Sequence, residues 1–111
     1  MKLVIAFIQP FMAPDVVQAL HRVPGLTGAT FSEVKGFGRG RSTLGANAEA
    51  LYGTVDKLRI EVVVSDDLED QVVQAIRTAA HTGNRGDGKI CTVAVTRAMR
   101  IATGEEGDNA V

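Results

Sequence analysis

The chain has 111 residues, 45% of them apolar and 23% charged, with a formal net charge of −1. That length fits one domain with a modest core, and the charge balance argues against a general nucleic-acid binder, which carries a basic excess. The lone cysteine, Cys91, excludes an intrachain disulfide and a multi-thiolate metal site; beside Ile90 and Val93 it is expected to be a small core residue.

The N-terminal stretch KLVIAFI (2–8) is rich in apolar and β-branched residues and predicts the first strand, ended by Pro10. It is too short for a signal peptide. No segment approaches the ~20 apolar residues of a membrane span, so a cytoplasmic protein without membrane insertion is expected. Residues 13–23 predict a helix: Pro14 suits the first turn, Asp15 the positive end of the dipole, and Val16, Leu20 and Val23 recur on one face. PGLTG (24–28) breaks the chain before a second strand over 29–36. KLRIEVVV (57–64) alternates Leu58, Ile60, Val62 and Val64 against Lys57, Arg59 and Glu61, the pattern of a half-buried third strand. Residues 66–80 predict a second helix, with Asp66 and Glu69 spaced as a capping box and Gly83 as a left-handed C-cap. KICTVAVT (89–96) predicts the fourth strand.

The order β-α-β-β-α-β implies an α+β ferredoxin-like fold: a four-stranded antiparallel sheet with two helices on one face. The other face, expected to carry Phe7, Val63 and Val93, needs a cover, so self-association is expected. About twenty residues, 37–56, join two adjacent strands where a hairpin needs two to five. That excess points to a segment that binds a partner or a ligand.

Two glycine-rich stretches carry the chemistry. TGNRGDGKI (82–90) follows a helix, whose nearby dipole end is negative, so an anion there would depend on loop amides, Arg85 and Lys89. A helix exit and an Asp-Gly turn would explain Gly83, Asp87 and Gly88 equally well, and the residues alone leave both readings open. GFGRG (36–40) lacks the following helix of a dinucleotide fingerprint. In the expected topology, however, it leaves the second strand while the other loop enters the fourth, and the two could build one anion site.

The stretches EVKGFGR (33–39), TGNRGDGKI (82–90) and RIATGEE (100–106), in this order, resemble the PII signal-transduction proteins, as does nearly the whole chain. The resemblance implies a homotrimer of single domains spanning 1–111. ATP or ADP, with AMP a further candidate, would bind in clefts between subunits. A T-loop at about 37–56 would dock on a protein target, with membrane transporters among the candidates; the C-terminal tail would begin at about 103. Carried over residue by residue, Gly36, Phe37, Gly38 and Arg39 match the loop-base motif. Gly86, Asp87, Gly88 and Lys89 match the phosphate cradle. Thr30 and Val63 match the adenosine pocket, and Arg100 matches an arginine reaching across from the next subunit. Lys57 matches a lysine near the effector site, and Tyr52 stands near a tyrosine that some members have modified.

The departures weaken parts of that pattern. Gly40 replaces a glutamine that organises Mg²⁺-ATP and 2-oxoglutarate, Ala102 replaces a second phosphate arginine, and Gln9 replaces a lysine. Triphosphate, Mg²⁺ and 2-oxoglutarate should lose most by these changes, and Arg85 is a candidate for restoring the charge lost at Ala102. A small ferredoxin-like phosphatase-type enzyme is a rival, but neither His21 nor His81 has an evident catalytic partner, so no enzyme activity is expected. A 2-oxoglutarate-responsive nitrogen regulator of the usual kind is the other alternative. RNA binding would need aromatic platforms that the third strand lacks, and the two histidines and one cysteine make a poor soft-metal site.

Overall fold

The computed structural model describes residues 1–38 and 53–111. Strands β1 (Lys2–Ile8), β2 (Thr30–Gly36), β3 (Val55–Val64) and β4 (Gly88–Ala94) form one sheet in the order β2-β3-β1-β4, and every pairing is antiparallel. Helices α1 (Ala13–His21) and α2 (Glu69–Ala80) complete the ferredoxin-like order expected from the sequence. The third strand starts two residues earlier than its alternation suggested, and the fourth stops at Ala94.

Period-2 alternation decides which side of the sheet is buried. Val4, Ala6 and Ile8 of β1 and Ile60, Val62 and Val64 of β3 turn to one face. There they meet Val16 and Leu20 of α1, Val72, Ile76 and Ala80 of α2, and Val23 beyond α1. Burying an aliphatic side chain of this size stabilises by roughly 1.5–3 kcal/mol, so this layer is the main source of stability.

The helix ends differ from the simple pattern. Helix α1 stops at His21, with Arg22 as C-cap, and Gly25 turns the chain at φ +88°. Helix α2 is preceded by a 3-10 turn, Asp66–Leu68, and its N-cap is Leu68, which offers no side-chain cap. The expected capping box is not formed. Asp66 instead accepts hydrogen bonds from the Met1 amine at 2.8 Å and Lys2 Nζ at 3.1 Å, and Lys2 also lies 3.6 Å from Glu69. Cations at the start of β1 compete successfully for both carboxylates. Gly83 does have a left-handed backbone, at φ +88°, but His81 has already left the helix in an extended conformation. Gly83 therefore belongs to the loop that follows.

The face turned from the helices carries Leu3, Ile5 and Phe7 in line with Val93, Cys91 and Lys89 of β4. Cys91 is exposed there, a correction to its expected place in the core. Its register partner is Ile5, and it is Ile90 that turns inward. Val63 and Val93 on this face are 37% and 49% exposed. The Arg59 guanidinium stacks 5.5 Å from the Phe7 ring centre and lies 3.5 Å from Glu61. Beyond β4, the chain doubles back over 97–107 as a small hairpin, held by an Arg97–Glu106 pair at 2.7 Å and by Arg100 N–H donating to Glu105 O at 2.8 Å. Among the described residues, no helix is long and apolar enough to cross a membrane.

Candidate functional site

The sheet register brings both glycine stretches to one end of the molecule. Gly36 closes β2 opposite Val55, Ile8 closes β1 opposite Leu58, and Gly88 opens β4 opposite Ile8. Phe37 and Gly38, both exposed, continue from that end of β2. Gly86 to Lys89 lead into β4 at the same end.

Beside Gly83, two further glycines of this loop are required by geometry. Gly86 has φ +89° and Gly88 φ +109°, where side chains are strained. A Cβ on Gly88 would sit 1.7 Å from the Phe7 carbonyl oxygen. The loop thus packs its backbone directly onto β1, and Lys89 enters the sheet paired with Phe7.

Asp87 stands between these glycines, and its carboxylate turns back onto the loop. It accepts the Thr82 hydroxyl, Thr82 N–H at 2.8 Å and Gly83 N–H at 3.0 Å, with His81 Nδ1 at 3.7 Å. The Thr82 hydroxyl holds the carboxyl below the usual aspartate range, helped by the Thr82 and Gly83 amides and by His81 against a cost of desolvation. Thr82 Oγ1 in turn accepts Asn84 N–H at 3.1 Å. From the other side, Lys57 Nζ donates to Gly86 O at 2.5 Å. Lys57 also flanks Gly36, where an added Cβ would lie 3.8 Å from its Cγ. A single lysine therefore touches the base of one glycine stretch and the backbone of the other.

A cavity of about 390 Å³ adjoins the loop. Ile8, Ile76 and Ala80 contribute apolar walls, Arg77 and Lys89 bring cationic groups to it, and the His81 imidazole borders it. Thr30 and Val63 lie further along the open face: Thr30 pairs with Glu61, four residues from Lys57 on β3, or about 13 Å at strand spacing. Lys57, Lys89, Thr30 and Val63 thus share a face but not a position. Arg100 is exposed and follows β4, which runs from Gly88 to Ala94, away from the loop end of the sheet. Arg39 and Tyr52 lie outside the described residues.

A family profile described as Nitrogen regulatory protein P-II matches residues 1–105. The chain belongs to the P-II family. Relatives named nitrogen regulatory protein P-II from Klebsiella oxytoca and Azospirillum brasilense are 48% and 45% identical to it, over all of both chains. A protein of Escherichia coli K12 named nitrogen regulatory protein P-II 1 is also 48% identical over its full length. These alignments run to 113 positions against 111 residues here, so the P-II relatives carry at least two residues that this chain lacks.

Sequence reasoning missed two parts of the loop's construction. Thr82 carries no role in the sequence reading, but its hydroxyl closes the loop. Lys57 was expected near an effector, and its bond to Gly86 was not foreseen. The first had a faint signal, a threonine five residues before an aspartate flanked by glycines. The second had none, because 29 residues separate the partners.

Proposed function

We propose that this P-II protein is a regulator that senses adenine nucleotides, ATP or ADP with AMP as a third candidate, at clefts between the subunits of a homotrimer. It would control a protein partner through the segment 37–56, with membrane transporters among the candidate partners. A cytoplasmic location goes with this reading. The observation that carries it is the glycine loop beside Lys89: two positive-φ glycines expose backbone to an incoming group, and Lys89 sits where that backbone joins a rigid strand. Such a loop suits phosphate, which takes several N–H donors and a cation together. Regulation rather than turnover accords with the names of its relatives, nitrogen regulatory proteins.

Arg100, exposed on the hairpin beyond β4, would serve a neighbouring subunit's phosphates. Thr30 and Val63, on the open face, would meet the adenosine. Gly40 and Ala102 each lack a group that could contact the third phosphate or its Mg²⁺. A charge-assisted hydrogen bond is worth roughly 1.5–3 kcal/mol, so ADP or AMP should compete well with ATP, and 2-oxoglutarate should add little.

Calorimetry with ATP, ADP and AMP, each with and without Mg²⁺ and 2-oxoglutarate, tests the reading. Micromolar binding of at least one nucleotide is expected, and no binding to any of them overturns it. Lys89→Ala should weaken affinity by about 10-fold or more while the assembly stays intact by sedimentation. Unchanged affinity would remove Lys89 from the site.

A further inference from the structure

We infer that Asp87 is a positioning residue, a carboxylate that latches the loop from within and leaves Gly86 to Lys89 as the half presented to a ligand. The inference rests on the nucleotide-binding reading and deepens it. By sequence, Asp87 falls inside the phosphate cradle, where its charge would repel an anion. The geometry resolves that conflict. Positive φ at Gly86 and Gly88 bends the backbone on both sides of Asp87 and turns its side chain back over Thr82 and Gly83.

There the carboxylate takes the place that an external anion takes in other glycine loops, accepting consecutive backbone amides. Its three protein donors and the nearby His81 nearly fill the four lone-pair sites of a carboxylate. The Thr82 hydroxyl is the pivot, donating to Asp87 while accepting Asn84 N–H. Amides 82, 83 and 84 are therefore engaged inside the loop and are not available to a ligand. Without the latch, a stretch containing three glycines in seven residues (82–88) would have to be ordered by the ligand itself, at the expense of affinity.

The test compares the parent with Asp87→Asn, Thr82→Val and Thr82→Ser by nucleotide calorimetry and by amide hydrogen exchange without nucleotide. Asp87→Asn and Thr82→Val should each weaken nucleotide affinity by about 10-fold or more. They should also speed exchange at Thr82 and Gly83 while the core amides of β1 and β3 keep their rates. Thr82→Ser keeps the hydroxyl and should stay within about threefold of the parent. Should Asp87→Asn fail to fold, the Thr82→Val and Thr82→Ser pair decides alone. Parent-like affinity in the latch variants, or unchanged exchange at both amides, overturns the inference. A parent that binds no nucleotide sinks the functional reading and this inference together, whereas failure of the latch alone appears only in the variants.

Discussion

At the scale of single residues, the sharpest constraint is on Gly88. An alanine there would place its Cβ inside the Phe7 carbonyl, on a central strand that cannot retreat without breaking its ladder to β3 or β4. The backbone angle adds strain of its own. Gly88→Ala should lower stability by at least about 3 kcal/mol, read from urea denaturation. Gly28 has open space around a would-be Cβ and no positive φ, so Gly28→Ala should stay within about 0.5 kcal/mol of the parent. Equal effects at the two positions would contradict the packing of the loop on β1. The contrast marks a limit of the sequence. The GDGK stretch announces that glycines matter, but the group that makes Gly88 irreplaceable belongs to Phe7, some eighty positions earlier. No local pattern encodes such an approach.

At the scale of elements, strands were more legible than helix ends. Alternation from Leu58 to Val64 fixes a face whatever surrounds it, because successive strand residues must point to opposite sides. A capping box depends instead on what else competes for the carboxylate. At Asp66 the competitors are Lys2 and the Met1 amine, brought across by the pairing of β1 with the end of β3. Hydrogen bonds from that amine and from Lys2 hold the Asp66 carboxyl below its ordinary value of 3.8. A depressed carboxyl contributes stability above the unfolded value and loses it as pH falls through the folded one. Asp66→Asn should therefore lower the urea midpoint at pH 6, and the deficit should shrink as pH drops through 3.8 and vanish once the parent's Asp66 is protonated in both states. A deficit independent of pH would assign the effect to shape rather than charge.

At the scale of the whole molecule, the open sheet face sets the expected behaviour. Val63 and Val93 stand half-exposed with Leu3, Ile5 and Phe7 between them, an apolar strip on a face without helices. If this face joins subunits, Val93→Lys should convert the assembly to monomers in sedimentation velocity while leaving the circular dichroism of each domain intact. An unchanged assembly would place the contact elsewhere. The existence of this face could be read from the element order, since two helices cover only one side of the sheet. The exposure of Cys91 could not be read from its apolar neighbours; it follows only from the pairing of β4 with β1. The candidate site was legible as two motifs, and the element order already placed the end of the second strand and the start of the fourth at one end of the sheet, where the register puts Gly36 and Gly88.

The narrow neck between β2 and β3 has a further consequence. Gly36 faces Val55, and Lys35 is paired with Asp56 at 2.5 Å, so the chain leaves and re-enters the sheet through adjacent, clamped positions. Eighteen residues lie between those strand ends. The free energy of closing such a segment grows only as the logarithm of its length, so adding or removing two residues changes it by about 0.1 kcal/mol. Length in this segment is therefore almost free thermodynamically. Selection can set its reach by what it must touch, and chains that share the sheet can differ there without any compensating change in the core.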